Sequence, residues 1–232
     1  MKKNKSPKSW WQITKRILLW MFISHLFYLL ILRWVNPPFT ITQVVSFVKG
    51  NGLKRDYVSY NSINSTAKLA VMAGEDQLFP DHNGFDIKAI KKAVKYNKKH
   101  PAKVRGASTI SQQVAKNVFL WQGGGFFRKG LEVYFTFMIE TLWGKKRILQ
   151  MYLNVAEMGK GIFGIQAAAT NYFGKDAAYL TQNEAAQIAA ALPNPIQFTV
   201  KPLSRYVAAR ANNIMRQMNN LESDPDIVEL IK

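Results

Sequence analysis

The sequence predicts a mainly α-helical protein preceded by one N-terminal transmembrane helix. No segment of the 232 residues shows the sustained alternation of apolar and polar residues that is typical of a half-buried strand. Several segments instead repeat apolar residues with the period of an amphipathic helix. With 48% hydrophobic residues, the chain can bury one ordinary globular core and still supply an anchor.

The first element is predicted to be an uncleaved membrane anchor over residues 17–35. Its apolar run, residues 17–32, is interrupted only by Ser24 and His25. Six Lys and Arg lie in residues 1–16, which predicts a cytoplasmic tail and places the remaining chain on the other side of the membrane. A cleavable signal peptide is the alternative, but no small-x-small cleavage site follows the run.

The charge of the chain suggests the kind of partner it binds, and its lack of cysteine excludes thiol chemistry. The net charge is +18, and the first 55 residues contain ten Lys and Arg but no acidic residue. Such a balance suggests a polyanionic partner, which charge alone leaves open between nucleic acid, an anionic membrane surface and a phosphorylated substrate. The chain has no cysteine, so a disulfide framework and thiolate catalysis are both excluded.

The remaining chain divides into a linker, residues 36–60, and one domain, residues 61–232. Pro37 and Pro38 stop the first helix, and a Gly-Asn-Gly turn lies within the linker. Ser62 or Asn64 can cap a helix that carries Glu75 near its end. Further helices are predicted over residues 86–100, 108–120, 128–143, 145–155, 181–191 and 205–220. The helix over 86–100 has six lysines, for which a solvated surface is favoured over a lipid or phosphate contact.

Residues 73–86 concentrate four carboxylates beside apolar side chains. Glu75 directly follows a buried-type helix and precedes Leu78 and Phe79. A carboxylate among apolar neighbours can have its pKa raised by desolvation, as a general base working near neutral pH requires. Glu75 is therefore the first catalytic candidate. Asp76, Asp81 and Asp86 are expected to shape the loop, with Asp86 capping the next helix.

Three later segments could also contact a ligand or lipid. The helix over residues 108–120 has one continuous polar stripe, whose members are Thr109, Gln112, Gln113, Lys116 and Asn117. The stripe either faces water or hydrogen-bonds a sugar or amide ligand. The uncharged segment 121–127 either contacts lipid or forms a buried aromatic turn. Glu132 lies on a narrow polar seam of the helix that follows.

Three short motifs match known functional patterns but lack the context that each function requires. Residues 159–164 match GxGxxG, but a helix is expected before them where a dinucleotide site needs a strand. Residues 81–86 resemble a calcium loop with the glycine in the wrong position. Ser65 and Lys68 form an SxxK pair without the Lys-Thr-Gly that accompanies it in transpeptidases.

Four ordered segments between residues 65 and 198 resemble the glycosyltransferase domain of peptidoglycan polymerases, family 51, and most closely its monofunctional form. They are Glu75-Asp76-x-x-Phe79-x-x-His82-x-Gly84-x-Asp86, Gly106-Ala107-Ser108-Thr109-Ile110-Ser111-Gln112-Gln113-x-Ala115-Lys116-Asn117, Arg128-Lys129-x-x-Glu132, and Lys145-x-x-Ile148-Leu149-x-x-Tyr152-Leu153-Asn154. Val114 stands where leucine is common, which touches no proposed catalytic position. The resemblance implies a lysozyme-like helical lobe with a smaller membrane-contacting lobe.

The resemblance also implies an inverting transfer that polymerises lipid II into β-1,4 glycan and releases undecaprenyl diphosphate. Glu75 would be the general base on the acceptor 4-hydroxyl, and Glu132 would help stabilise the diphosphate, with a divalent cation such as Mg or Mn as a candidate ligand. The residues implied to bind substrate are Asp76, Phe79, His82, Ser108, Thr109, Gln112, Gln113, Lys116, Asn117, Arg128 and Lys129. For His82, the sequence context favours a structural hydrogen bond over catalysis.

The implied setting is the bacterial cytoplasmic membrane, with the catalytic domain on its outer side. The expected partners are lipid II, the lipid-linked growing glycan, the membrane itself and other cell-wall synthesis or division proteins. A lytic enzyme that cleaves murein with the same lobe is one alternative. A membrane-anchored basic scaffold or nucleic-acid-binding protein is another, although an external domain and the absence of aromatic residues among most of the lysines argue against nucleic acid.

Overall fold

A computed structural model describes residues 10–232. Residues 1–9, which make up most of the predicted basic tail, lie outside the described part. The chain separates into two compact units, Met1–Val35 and Asn36–Lys232, and each is described by itself. The described residues form eleven α-helices and three short strands, so the prediction of a mainly α fold is confirmed.

In the described part of the N-terminal unit, residues 10–35, the chain forms helix α1, Trp10–Ile31. Its 22 residues span about 33 Å, enough to cross a bilayer. Among the described residues it is the one helix whose length and composition suit a membrane span. It begins earlier than predicted because Lys15 and Arg16 are good helix formers and continue the helix backwards. It ends at Ile31, and residues 32–35 form a turn.

The segment predicted as a linker, residues 36–60, is partly regular and belongs to the second unit. It contains α2, Ile41–Val48, and strand β1, Lys54–Arg55. Thr40 and Gln43 form a reciprocal capping box, with Thr40 Oγ1 accepting from Gln43 N at 3.3 Å. An eight-residue helix shows too few turns for its period to stand out in the sequence.

Most of the other predicted helices are present with caps at the expected residues. Asn64 caps α3, Asp86 caps α4 through a 2.8 Å bond from Ala89 N, and Thr181 with Glu184 caps α9. Their bounds are α3 Ser65–Glu75, α4 Ile87–Lys99, α5 Ile110–Phe119, α6 Phe126–Leu142, α7 Lys145–Val155, α9 Gln182–Ala191 and α10 Arg205–Leu221.

The core is organised around α3. This helix is buried from Ala67 to Ala73 and packs against α9 and α10. Gly74 permits the close approach of α10, since a Cβ there would lie 3.1 Å from Ile214 Cδ1. α5 packs against α6 and α7. The last residue of α3, Glu75, therefore lies where these helices meet.

Besides α2 and β1, two further helices and two strands were not predicted. They are α8, Ile165–Phe173, α11, Pro225–Ile231, and the strands β2, Glu157–Gly159, and β3, Ile162–Phe163. β3 pairs in parallel with β1 and antiparallel with β2. The expectation that a helix directly precedes the GxGxxG match was wrong, because β2 does. Gly161 instead allows a tight contact, with a Cβ there falling 2.2 Å from the Asn51 carbonyl oxygen.

Candidate active site

Glu75 occupies the C-terminal end of α3, where two partners reach its carboxylate. Gln113 of α5 donates to Oε2 at 2.8 Å. The guanidinium of Arg210, on α10, lies with Nη2 3.7 Å from Oε1 and donates to the Gly74 carbonyl at 3.0 Å. Three helices that are distant in sequence therefore surround this carboxylate.

The environment of Glu75 suits a base. Burial, the largest effect, raises the pKa of its carboxyl above the ordinary value, and the negative charge of Asp76 adds to the rise. The Gln113 hydrogen bond and the positive charges of Arg210 and Lys116 oppose it. The opposed effects leave a carboxylate that holds a proton more readily than an exposed glutamate yet has partners for its ionised form.

Tyr152 of α7 fixes the orientation of Gln113. The tyrosine is buried, and its hydroxyl donates to Gln113 Oε1 at 3.2 Å. Burial raises the pKa of Tyr152 well above its usual range, and the charges of Glu75 and Asp76 raise it further, so the hydroxyl stays protonated. With its oxygen occupied in this way, the Gln113 amide presents its NH₂ group to Glu75.

Asp76 anchors the loop after α3 to the start of α5. Its Oδ2 accepts from Ile110 N at 2.9 Å, and its Oδ1 lies 3.0 Å from His82 Nε2. Gly84 N donates to His82 Nδ1 at 3.1 Å, which places a ring proton on Nε2, the atom facing Asp76. These bonds close the loop around Glu75.

Several residues predicted to bind substrate are buried and bonded within the protein. Phe79 is fully buried with its ring edge-on to His82. Thr109 and Gln112 are buried and cap α5 reciprocally, while Thr109 also donates to the Gly84 carbonyl at 2.7 Å. The polar stripe thus does not simply face water. Ser108 is exposed just before α5 and remains accessible to a ligand.

A cationic cluster lies next to Glu75 along α5 and α6. Lys116 is one turn beyond Gln113 on the same helix face. Glu132 is buried and pairs with Arg128 at 2.8 Å and with Lys129. Burial, the largest effect, lowers the pKa of Lys116; Glu132 raises it, and Arg128 and Lys129 lower it further. Three cations against one carboxylate leave a net charge of +2, which suits an anionic ligand.

A cleft of about 340 Å³ opens beside these residues. Gln113, Lys116, Tyr152 and Glu157 are among the residues that line it. Asn117 also lines it and accepts from Gln122 Nε2 at 3.2 Å. The cleft therefore reaches Lys116 of the cationic cluster and Gln113, the hydrogen-bond partner of Glu75, while Glu75 itself does not line it.

Comparison with known proteins identifies the family. Residues 42–219 match the profile of the transglycosylase family. A biosynthetic peptidoglycan transglycosylase of Pseudomonas putida (strain GB-1) is 50% identical over 221 residues, covering 93% of each protein. Proteins of the same name from Pseudomonas aeruginosa and Haemophilus influenzae are 47% identical over 93% of the chain and 95% of the relative, and 45% identical over 94% and 92%. The chain belongs to the biosynthetic peptidoglycan transglycosylase family.

Membership confirms two of the sequence predictions, the family and the enzyme class. The transglycosylase is a glycosyltransferase of the hexosyltransferase class. Its apolar N-terminal helix is compatible with membrane anchoring. Segment 121–127 is not a buried turn, because Trp121 is 41% exposed and Phe126 and Phe127, the first residues of α6, are 98% and 76% exposed.

The residues around Glu132 do not fit a cation held by protein ligands alone. Both carboxylate oxygens of Glu132 are engaged by Arg128 and Lys129. Among residues 10–232, no group of three or more His, Cys, Asp or Glu could hold a metal ion. Hard divalent cations prefer several oxygen ligands, whereas this position of the transglycosylase offers positive side chains.

Sequence reasoning missed three residues of the site. Arg210 is 135 positions from Glu75, and its helix looked like an ordinary amphipathic surface helix. Tyr152 was assigned to the core face of α7, and its hydroxyl has no sequence signal. Glu157, which lines the cleft and whose pKa is raised chiefly by burial, follows a helix without any surrounding acidic pattern.

Proposed function

We propose that this transglycosylase polymerises lipid II into β-1,4 glycan strands, with Glu75 as the general base. The observation that carries the proposal is the adjacency of two opposite environments. A buried carboxylate with a raised pKa lies beside a cluster of net charge +2, and Gln113 and Lys116 connect them along one face of α5. The transfer needs a base that takes the proton of the acceptor hydroxyl and positive charge that stabilises the departing diphosphate, and these two environments supply one each.

The reaction runs as a single displacement in this proposal. Glu75 takes the proton from the 4-hydroxyl of the acceptor N-acetylglucosamine, and the oxygen attacks C1 of the donor sugar. The new C1–O4 bond forms on the face opposite the C1–phosphate bond, which breaks and leaves its electron pair on the diphosphate. The α-linked donor thereby becomes a β-linked glycan, and Glu75 later releases its proton to water.

Lys116, Arg128 and Lys129 would stabilise the charge that develops on the leaving diphosphate. Lys116 has the lowered pKa of a poorly hydrated ammonium, whose field on a nearby anion is less screened than in bulk water. Glu132 would hold Arg128 and Lys129 in place by its two ion pairs. In this proposal the positive charges of these side chains stabilise the diphosphate, and no cation bound by protein ligands is needed.

The proposed setting is a membrane. α1 would anchor the protein with the N-terminus in the cytoplasm, because the six basic residues at its start favour that side. The catalytic unit would then act outside, on lipid II and the lipid-linked glycan. Proteins of cell-wall synthesis or division are the expected partners.

Replacing Glu75 with glutamine tests the base. Glutamine keeps the size and can still hydrogen-bond Gln113, but it cannot accept the proton. Glycan formation from lipid II by the purified full-length protein should fall about 100- to 10,000-fold. Glu222→Gln, at an exposed position, is the matched control and should retain full activity.

Two outcomes would count against the proposal. Undiminished polymerisation by a folded Glu75→Gln protein would remove Glu75 from the base role. Release of anhydro-muropeptides from purified sacculi, with no polymer formed from lipid II, would favour a lytic enzyme.

A further inference from the structure

Helix α2 buries its polar side chains and exposes its apolar ones, the opposite of a helix on a water-facing surface. Its polar residues Thr42, Gln43 and Ser46 are buried. Its apolar residues face outward, with exposures between 38% and 78%: Ile41, Val44, Val45, Phe47 and Val48. A surface helix of a globular protein buries the apolar side and hydrates the polar side.

Specific hydrogen bonds hold this reversed orientation. Gln43 Nε2 donates to the Tyr57 hydroxyl at 3.0 Å, and Gln122 Nε2 donates to Thr42 Oγ1 at 3.0 Å. The capping box of Thr40 and Gln43 fixes the start of the helix. Turning the apolar side inward would break the bonds to Tyr57 and Gln122, so these two bonds keep the apolar face outward.

The composition of the face indicates what covers it. No charged residue occurs in residues 34–48, whereas Arg33 precedes this stretch and Lys49, Lys54 and Arg55 follow it. An uncharged apolar strip with basic residues at its ends suits a bilayer interface that contains anionic headgroups.

Chain connectivity and size favour lipid over a second copy of the chain. α2 begins ten residues after α1 ends, so the connection can extend at most about 35 Å from the membrane-spanning helix. One face of an eight-residue helix is about 12 Å long, and its area is far below the roughly 800 Å² per partner of a stable protein interface.

We propose that α2 is an interfacial helix whose apolar face, centred on Val44 and Val48, inserts into the lipid surface. Thr42 and Ser46 on the buried side of α2, together with Val45 at the edge of the apolar face, line the same cleft as Lys116. Insertion therefore sets that cleft at the level of the lipid headgroups. The insertion rests on the membrane setting of the proposed function and not on glycan polymerisation by Glu75.

Single-cysteine labelling tests the insertion directly, because the chain has no cysteine of its own. Val44→Cys and Val48→Cys would each carry a nitroxide spin label in the full-length protein, reconstituted into nanodiscs of phosphatidylcholine and phosphatidylglycerol. Asn220→Cys, exposed on α10, is the control. The ratio of collisions with oxygen to collisions with a water-soluble nickel chelate should be several-fold higher at Val44 and Val48 than at Asn220.

Each other outcome overturns the proposal. Nickel accessibility at both α2 positions equal to that at Asn220 would place the helix in water. Protection from both oxygen and nickel would show that protein covers the face, as a second copy would. The measurement needs no turnover, so its failure is distinguishable from failure of Glu75→Gln to abolish polymerisation.

Discussion

Replacing Arg210 with methionine should shift the pH dependence of the enzyme in a defined direction. Arg210 lies with Nη2 3.7 Å from Glu75 Oε1 and is held there by its bond to the Gly74 carbonyl. Methionine keeps much of the apolar stem but removes the positive charge. The other charged neighbours of Glu75, Asp76 and Lys116, remain, as do the protonated Tyr152 and the Gln113 hydrogen bond.

The size of the effect follows from the distance and the exposure. Two unit charges about 4 Å apart attract by about 4 kcal/mol at an effective dielectric constant of about 20. The Arg210 side chain is 32% exposed, so solvent screening reduces this to about 1–2 kcal/mol. An energy of this size changes the ionised fraction of Glu75 about tenfold where that fraction is limiting.

The sign is set by which form of Glu75 acts. Arg210 favours the ionised carboxylate, so its loss raises a pKa that burial already raises. A base works deprotonated, and its activity rises as pH passes upward through the pKa. The acid limb of kcat/KM should therefore move to higher pH, with activity on that limb falling about tenfold and the high-pH plateau little changed.

The assay is kcat/KM for glycan formation across the pH range. Arg210→Lys should recover part of the shift because it restores a charge. Arg216→Met, at an exposed position on the same helix, is the control and should leave the profile unchanged. An Arg210→Met profile lowered equally at every pH would mean that Arg210 only supports the fold, and an unmoved acid limb would refute the electrostatic reasoning.

Three further predictions concern packing and charge. Gly84→Ala should lower the free energy of unfolding, measured by thermal melting, by about 2–5 kcal/mol, because φ is +85° and the new Cβ would lie 2.7 Å from Thr136 Cγ2. The control Gly50→Ala, at φ +73° in open space, should lower it by only about 1–2 kcal/mol. Lys116→Met should lower kcat for polymerisation about 100- to 1,000-fold with Tm retained, and an unchanged kcat would exclude Lys116 from leaving-group stabilisation. Glu132→Gln should cost about 2–4 kcal/mol of stability and lower activity, while the activity's response to added Mg or Mn stays as in the wild type; a weakened response would show that a cation acts through Glu132.

Helices were predictable where local signals agree. α7 was predicted with the observed bounds, and α9 and α10 within one residue, because caps and apolar periodicity coincide there. α2 escaped prediction because it is short and carries its apolar residues on the outside. The strands of two or three residues have no alternation to detect, since long-range pairing alone defines them.

Some residues of the candidate site could be predicted from local sequence and others could not. Glu75, Gln113, Lys116 and Glu132 could be selected from local residue types and their spacing along helices. Phe79 shares a motif with Glu75 but is fully buried, and sequence spacing cannot tell a residue that supports a site from one that lines it.

The sequence by itself determined the helical class, the apolar N-terminal helix and which acidic and basic residues were candidates for the site, because residue types and short-range periodicity are local properties of the chain. The family was indicated by the resemblance of four ordered motifs. Only the tertiary structure decided which groups meet. Arg210 reaches Glu75 because α10 packs against α3, and Tyr152 orients Gln113 because α7 packs against α5. The apolar side of α2 faces outward because its polar side bonds Tyr57 and Gln122. Such contacts depend on how whole faces fit together, and no local pattern encodes that.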